Sequence, residues 1–326
     1  MLKLKHLDSN FDLAKEILKR YWEYDHDGLD KMLGYFRISS NAIYPYRLKG
    51  EVRFLRLAPV EEKFEKNLFG EIEFIQYLLN NNFPALELII SKSGESCLKL
   101  NTPWGEYYAT SFRCVKGVQI QRIRKSNDIM YEYGKALGRL HTLSAEYSPH
   151  IKKWDHTEVL AWIDAVLCKY KVPECAFAEL TLLREALGKR PMHAEQYGLI
   201  HYDFEFDNVF YDADTNTCSV IDFDDGMYHW YALDVVQVLD CIEDELTSEA
   251  CEQAKEKFLE GYRSEHCLTE EMQKSYELMR RFTNLYGYAR LIRCVAEKFD
   301  VEPDWMSELR SELKTTIHSK EIRMNR

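Results

Sequence analysis

The hydrophobic pattern of the first 113 residues changes from helical spacing to strand spacing and back. A first amphipathic helix is predicted over residues 9–23, with Ser9 or Asn10 as its cap. Apolar residues then follow a period of two through residues 35–57, and a turn at residues 49–51 predicts a hairpin. Apolar residues recur three and four positions apart over residues 61–80, which predicts a second, longer helix. The pattern therefore favours a small antiparallel sheet packed against helices.

Shorter strands and many helices are predicted in the rest of the chain. Residues 86–91 and 97–100 are expected to form a hairpin, followed by a strand over residues 106–112. A further hairpin joins residues 209–211 to residues 218–221 through a polar turn. Beyond residue 113 most periodic segments have helical spacing, beginning with residues 128–143. The fold class predicted from this order is α+β, with the sheet near the N-terminus and a mainly helical remainder.

Length and charge narrow the class of protein. The 326 residues are enough for two lobes with a sizeable core, but few for three independent domains. The formal net charge is −11, which argues against general binding of nucleic acids, because such binding relies on basic surface. An acidic chain is compatible with a cationic ligand, although acidic residues also serve solubility alone.

Cysteine usage and the N-terminal residues indicate an intracellular protein. The nine cysteines are scattered and no C-x-x-C occurs, which predicts reduced thiols and neither a disulfide framework nor a zinc site. The first 22 residues lack the apolar core and cleavage site of a signal peptide, and no apolar run reaches membrane-spanning length. We therefore expect a cytoplasmic protein without a membrane partner.

Residues 199–233 carry the clearest chemical signal. His201-x-Asp203 is followed five residues later by Asn208, and Asp222 follows after the predicted hairpin. This spacing is typical of a phosphoryl-transfer centre, in which one Asp receives the proton of the acceptor hydroxyl, the Asn holds a metal, and the second Asp binds the metal at the phosphates. Carboxylate and amide oxygens suit Mg²⁺. The alternative is an acidic loop without catalytic chemistry.

The motifs in this stretch resemble those of the aminoglycoside phosphotransferase and choline kinase superfamily. That family's loop usually reads H-G-D-x-x-x-x-N and its metal motif I-D-F-D-D, which residues 221–225 match; Tyr202 stands where the family commonly has glycine. Asp234 matches a further family Asp, which implies that it anchors the loop by hydrogen bonds. The resemblance implies a protein-kinase-like two-lobe fold: residues 1–113 form a nucleotide-binding lobe and residues 114–326 a catalytic and acceptor-binding helical lobe.

The same resemblance implies which residues hold the phosphates. Ser40 and Asn41 lie where a kinase has its nucleotide-covering loop. Arg56 occupies the position of the phosphate-binding cation, and its alternative role is that of a surface arginine on a strand. Glu71 fits the family's helix pattern as the partner of that cation, with Glu73 as the competitor.

The adenine is expected to bond to backbone groups within residues 111–115, which makes Phe112 and Val115 the candidate cofactor contacts. The implied function is transfer of the γ-phosphoryl group of ATP to a hydroxyl of a small molecule, such as an aminoglycoside, an amino alcohol or a homoserine-like compound. Asp203 would be catalytic, and Asn208 and Asp222 would hold Mg²⁺. A regulatory pseudokinase that binds nucleotide and a protein Ser/Thr kinase remain alternatives. Oligomeric state is not predicted.

Several aromatic and basic residues keep two interpretations at this stage. Tyr228 and His229 are either a wall for a cation or core, whereas Trp230 and Tyr231 are expected in the core. Trp154 and Trp162 are expected to cover the helical lobe. Four residues near the C-terminus either face the cleft or cover a helix: Tyr286, Tyr288, Arg290 and Arg293.

Overall fold

A five-stranded antiparallel sheet organises the N-terminal part of the computed structural model, which describes residues 2–296 and 302–325. The strand order among these residues is β1-β2-β3-β5-β4. The strands are β1 (Arg37–Ile38), β2 (Ala42–Leu48), β3 (Glu51–Pro59), β4 (Cys97–Thr102) and β5 (Gly105–Arg113). Strand β3 lies in the centre, where Arg56 is opposite Ile43 on one side and Thr110 on the other. A side chain on β3 is therefore held by neighbours on both flanks.

Three helices accompany the sheet: α1 (Phe11–Tyr21), α2 (Leu29–Leu33) and α3 (Glu65–Asn80). Asn10 caps α1, since its side chain accepts a hydrogen bond from the backbone N–H of Leu13. The prediction for α3 was wrong at its start, because residues 60–62 form a separate 3-10 turn. Phe64 lies within the predicted range but precedes α3 and is exposed.

The predicted hairpin between residues 86–91 and 97–100 is wrong. Strand β4 pairs with β5 instead, through a tight turn in which Gly105 has a φ of +118°. Residues 86–91 run past the end of β5, where the Ile89 N–H donates to Ser111 O and the Arg113 N–H donates to Glu87 O. Leu86 N–H also donates to Val220 O. This segment therefore connects the N-terminal sheet to the second half of the chain.

Helices dominate the second half. They are α4 (Asn127–Glu146), α5 (His156–Lys169), α6 (Glu174–Gly188), α7 (Ala232–Glu245), α8 (Ser248–Glu265), α9 (Glu270–Lys274), α10 (Tyr276–Val295) and α11 (Asp304–Met324). Short strands lie among them: β6 (Val118–Gln119), β7 (Tyr197–Ile200), β8 (Val209–Asp212), β9 (Thr217–Val220) and β10 (Met227–Trp230). The predicted hairpin after Asn208 is present as β8 and β9, and β7 pairs with β10. The α+β class is confirmed.

Two large apolar clusters form the core of the helical part. One contains buried residues of α5, α6 and α10, and the other joins α3, α4, α7 and α8 to the β8–β9 hairpin. All nine cysteines lie in the described ranges, and no disulfide bond joins any two of them. Among the helices described here, none combines the length and the apolar character needed to cross a bilayer.

Candidate active site

One buried carboxylate holds the backbone of the loop between β7 and β8. Asp234, near the start of α7, accepts hydrogen bonds from the backbone N–H groups of His201 and Tyr202, each at 2.8 Å. His141 of α4 donates to the same carboxylate from Nε2 at 3.1 Å. His141 is fully buried and has a structural role here. Two helices, α7 and α4, thus set the position of the residue that follows, Asp203.

Asp203 and Asn208 lie side by side within this loop. The Asn208 amide donates to the Asp203 carboxylate and to the Asp203 backbone carbonyl, both at 2.9 Å. Burial raises the pKa of Asp203 to about 8; Asp225, Glu205 and Asp222 add to the rise, and Arg290 opposes it. A carboxylate with a pKa in this range can take up a proton near neutral pH.

Asp222 follows β9 and lies next to this pair. The backbone N–H of Ile221 donates to the Asn208 carbonyl at 3.0 Å, and Nε2 of His201 donates to the Ile221 carbonyl at 2.9 Å. Asp222 itself has a φ of +65°, a conformation that a non-glycine residue rarely adopts. Burial raises its pKa to about 7, with Asp224 and Asp225 adding to the rise and Arg56 opposing it.

The donor set fits a hard divalent cation. Asn208 acts as a donor only through its amide nitrogen, so its side-chain oxygen is available as a ligand alongside Asp222. Crowded carboxylates with raised pKa values are stabilised in their ionised form when a divalent cation lies between them. Asn208 and Asp222 could therefore hold a metal.

Two neighbouring carboxylates are already paired with cations: Lys63, which the sequence pattern did not single out, and Arg290, for which it left two interpretations open. Lys63 donates to Asp224 at 2.5 Å, and Arg290 of α10 donates to Asp225 at 2.7 Å. These cations hold the pKa of Asp224 and Asp225 below the usual range although burial alone would raise it. Lys63 lies 161 positions from Asp224 in the chain, so no local spacing could have revealed the pair.

Arg56 and Glu71 form a buried ion pair between β3 and α3. The guanidinium donates to both carboxylate oxygens, at 2.7 and 3.0 Å, and its Nε donates to Thr110 Oγ1 at 3.1 Å. Burial would lower the pKa of Arg56, but Glu71 raises it overall. The competitor, Glu73, instead accepts the backbone N–H groups of His150 and Ile151. The arginine is therefore paired with Glu71, as the sequence pattern indicated.

The predicted nucleotide contacts border this site at two places. Ser40 and Asn41 form the turn between β1 and β2; Arg290 donates to Ser40 at 3.4 Å, and the Asn41 amide donates to Asp224 at 3.2 Å. Phe112 on β5 is buried, with the Arg56 guanidinium 4.9 Å from its ring centroid. Val115 follows β5 and is partly buried. The adenine contacts at Phe112 and Val115 stay predictions.

A cavity of about 190 Å³ opens beside Asp224 and Asp225. Its wall contains Phe64, Trp154, Trp162 and Tyr286, and its charged rim contains Glu61, Glu62, Lys63, Arg290 and Arg293. The cavity lies between the turn that holds Ser40 and the helices α5 and α10. Trp154 and Trp162 therefore line a cleft and do not simply cover the helical part.

The structure decides between the two interpretations left for the other aromatic residues. Tyr228 and His229 lie on β10 and are buried, and His229 packs against Phe282, so they belong to the core together with their neighbours Trp230 and Tyr231. Tyr288 is not one of the residues that line the cavity, and its hydroxyl donates to Glu321 at 3.0 Å.

Tyr202 has a φ of +70° at the position where the family commonly has glycine. Its buried ring packs edge-on against Tyr286 with centroids 5.2 Å apart. The Tyr286 ring in turn lies 5.4 Å from the Arg290 guanidinium. The tyrosine therefore links the loop between β7 and β8 to α10.

Comparisons with known proteins identify relatives of this chain. An amicoumacin kinase from Bacillus subtilis (strain 168) is 23% identical over 206 residues, which cover 60% of this chain and 59% of that protein, less than two thirds of its length. A solved amicoumacin kinase in complex with AMP-PNP, Ca²⁺ and Ami has a TM-score of 0.76 at 17% identity, covering 97% of this chain and 95% of that one.

Two further solved structures share the fold. A microcompartment-associated aminopropanol kinase has a TM-score of 0.68 at 17% identity, with 97% of each chain covered. An aminoglycoside phosphotransferase from Streptomyces rimosus has a TM-score of 0.57 at 15% identity, covering 87% of this chain and 99% of that one. The kinase-like fold predicted from the motifs is thus confirmed. The model of the phosphotransferase enzyme family matches residues 39–275, and the chain belongs to that family.

Proposed function

We propose that this protein transfers the γ-phosphoryl group of ATP to a hydroxyl group of a small molecule. The observation that carries the proposal is the pair of hydrogen bonds from Asn208 to Asp203, with Asp222 joined to the same loop through Ile221. Phosphoryl transfer requires a proton acceptor beside metal-binding oxygens, and this arrangement supplies both types of group. Relatives named as kinases of amicoumacin and aminopropanol support the same chemistry.

Asp203 orients the acceptor hydroxyl and takes its proton as the oxygen attacks the γ-phosphorus. The bond between the γ-phosphorus and the bridging oxygen breaks, and ADP leaves with the electron pair. Asn208 and Asp222 hold Mg²⁺, which when bound neutralises charge on the phosphate oxygens. The Asn208 amide keeps the Asp203 carboxylate turned toward the reaction. Positioning and charge stabilisation therefore account for most of the catalysis.

The nucleotide is held mainly by residues of the N-terminal part. Arg56, kept in place by Glu71, binds the phosphates with its guanidinium, while Ser40 and Asn41 cover them. Phe112 and Val115 border the adenine. This division assigns residues 1–113 to a nucleotide-binding lobe and residues 114–326 to a catalytic and acceptor-binding lobe.

The acceptor enters through the cavity beside Asp225. Its aromatic wall, formed in part by Trp154, Trp162 and Tyr286, favours a molecule with an apolar or cationic group, because aromatic faces attract cations. The names of two related structures, an aminopropanol kinase and an ethanolamine kinase, describe acceptors with both an amine and a hydroxyl. The cytoplasmic location indicated by the cysteines stays a prediction.

The test is release of ADP by the purified protein with Mg²⁺ and ATP, across a panel of aminoglycosides, amino alcohols, homoserine and protein substrates. One acceptor should raise the rate well above background in the wild type, and Asp203→Asn should abolish that rise while still binding nucleotide. Full turnover by Asp203→Asn would refute its role. Nucleotide binding without turnover on any acceptor would favour a regulatory protein, and phosphorylated protein substrates would favour a protein kinase.

A further inference from the structure

A buried lysine lies behind the proposed metal-binding loop, outside every motif in the sequence. Lys153 belongs to the segment that links α4 to α5, and only 2% of it is exposed. Its ammonium donates to the backbone carbonyls of Phe223 and Asp224, at 2.9 and 2.8 Å. These carbonyls follow Asp222 directly in the chain. The lysine therefore contacts the loop through two of its backbone oxygens.

The segment that carries Lys153 is fastened to helix α3. Glu73 accepts the backbone N–H groups of His150 and Ile151, at 2.7 and 2.9 Å. Asn67 accepts the N–H of Trp154 at 2.8 Å through its side-chain oxygen. Two side chains on one face of α3 thus hold the backbone on both sides of Lys153.

The lysine stem also packs against the same helix at a glycine. A Cβ added at Gly70 would lie 2.8 Å from Cγ of Lys153 and 2.8 Å from the carbonyl oxygen of Ile151. The residue after this glycine is Glu71, the partner of Arg56. Gly70 therefore provides the space through which the lysine stem passes between α3 and the metal-binding loop.

A buried ammonium requires compensation for its lost hydration. Burial lowers the pKa of Lys153, and the carboxylates of Glu71, Asp224 and Asp225 oppose that shift. A side chain of similar length without charge would pack equally well there, so apolar packing alone does not account for a lysine. Its two hydrogen bonds to loop carbonyls do account for it.

We propose that Lys153 is a positioning residue that holds the loop of residues 222–225 in register with helix α3. Through that contact the metal ligand Asp222 and the phosphate clamp formed by Arg56 and Glu71 keep a constant separation. The proposal rests on the proposed function, since it assigns Asp222 to a metal and Arg56 to the phosphates. Mg²⁺ affinity and phosphate binding are then coupled through one buried ammonium.

The first experiment measures the Mg²⁺ concentration that gives half-maximal binding of AMP-PNP by calorimetry. In Lys153→Met this concentration should rise at least about tenfold, as is usual when a group that orients a metal ligand is lost. Lys152→Met is the matched control, because the Lys152 side chain is more than half exposed, pairs with Asp155 and lies over the Tyr228 ring, with no bond to the loop of residues 222–225 among the described residues. An unchanged concentration in a folded Lys153→Met protein would overturn the proposal.

A second readout needs neither metal nor nucleotide. Amide hydrogen exchange of residues 222–226 in the metal-free protein should be faster in Lys153→Met than in wild type or Lys152→Met. If Lys153 only filled space, Lys153→Met would lower the melting temperature but would leave the exchange of this loop and the Mg²⁺ dependence unchanged. That result would contradict the assignment.

Glu73→Gln covers the case in which Lys153→Met does not fold. It keeps the lysine and the helix but weakens the two bonds that fasten the segment to α3, so the Mg²⁺ requirement should rise by a smaller factor. No rise in Glu73→Gln would then overturn the proposal. If wild type itself bound no Mg²⁺ with AMP-PNP, the proposed function would fail, while the exchange experiment would still decide whether Lys153 holds the loop.

Discussion

At the scale of single residues, the acidic groups of the site divide into two kinds. Asp224 and Asp225 have cationic partners, Lys63 and Arg290. Within the described residues, no ion pair joins Asp203 or Asp222 to a lysine or arginine, and burial raises the pKa of both. The two carboxylates that we assign to proton transfer and metal binding are thus the two whose ionisation the metal-free protein opposes.

This difference predicts a pH dependence of stability in the metal-free protein. The pKa of Asp203 is about 8 in the folded protein against an ordinary value of 3.8, so the folded state binds its proton more tightly than the unfolded state does. Its contribution to stability is therefore complete below about pH 4 and is lost as the pH rises toward 8. In this window the group lowers the free energy of unfolding by about 1.4 kcal/mol per pH unit.

Urea denaturation with EDTA between pH 5 and about 8 would test this dependence. Asp203→Asn should become progressively more stable than wild type as the pH rises, since it has no proton to lose. Asp214→Asn, in the exposed turn between β8 and β9, serves as the control and should follow wild type. Parallel profiles for wild type and Asp203→Asn would show that Asp203 does not have a raised pKa.

At the scale of elements, the close crossing of α4 and α8 supports the loop between β7 and β8. A Cβ at Gly134 of α4 would overlap the carbonyl oxygen of Phe258 in α8, and a Cβ at Gly261 of α8 would overlap that of Tyr131 in α4. The same α4 carries His141, which bonds to Asp234 beneath the loop. Two reciprocal glycines therefore set the distance between helices that position the site.

We expect Gly134→Ala to reduce the free energy of unfolding by about 1–3 kcal/mol or more, because two helix backbones must separate to admit a methyl group. Thermal or urea unfolding would measure the loss. Gly188→Ala, at the end of α6, adds a methyl group with nothing within 4 Å and should leave stability unchanged or slightly raised. Equal stability of the two variants would refute the close crossing.

At the scale of the whole molecule, the site joins the two halves of the chain. Arg37 and Lys63 of the N-terminal part pair with Asp207 and Asp224 of the C-terminal part. Residues 86–91 also form backbone hydrogen bonds with both β5 and Val220. A ligand bound between these halves should therefore stabilise the whole fold and not one part of it.

AMP-PNP with Mg²⁺ should raise the melting temperature, and the protein should still unfold in a single transition. A ligand concentration of 100 times the dissociation constant should raise the free energy of unfolding by about 2.7 kcal/mol. Asp222→Ala should lose most of this gain, and AMP-PNP with EDTA should give little in wild type. Differential scanning calorimetry would distinguish one transition from two. Stabilisation of equal size without a divalent cation would contradict the assignment of Asn208 and Asp222 to a metal.

Much of the fold was predictable because it depends on local patterns. The helix after Asn10, the β8–β9 hairpin and the pairing of Arg56 with Glu71 follow from spacing or from family motifs. The hairpin assigned to residues 86–91 failed, since an apolar run of that length has strand character whether or not a partner strand lies beside it. Tertiary contacts decide whether β4 pairs with residues 86–91 or with β5.

The amino-acid sequence alone was sufficient to predict the α+β class and the family. It also indicated that Asp203, Asn208 and Asp222 lie close together, because motif spacing within one loop and one hairpin is a local property. Tertiary structure alone decided that Lys63, Lys153 and Arg290 reach the metal motif and that Trp154 and Trp162 line a cavity. Those residues come from distant segments, and their approach depends on which helices pack against the sheet and against each other. The periodicity of the sequence shows which face of an element is buried but not which other element covers it.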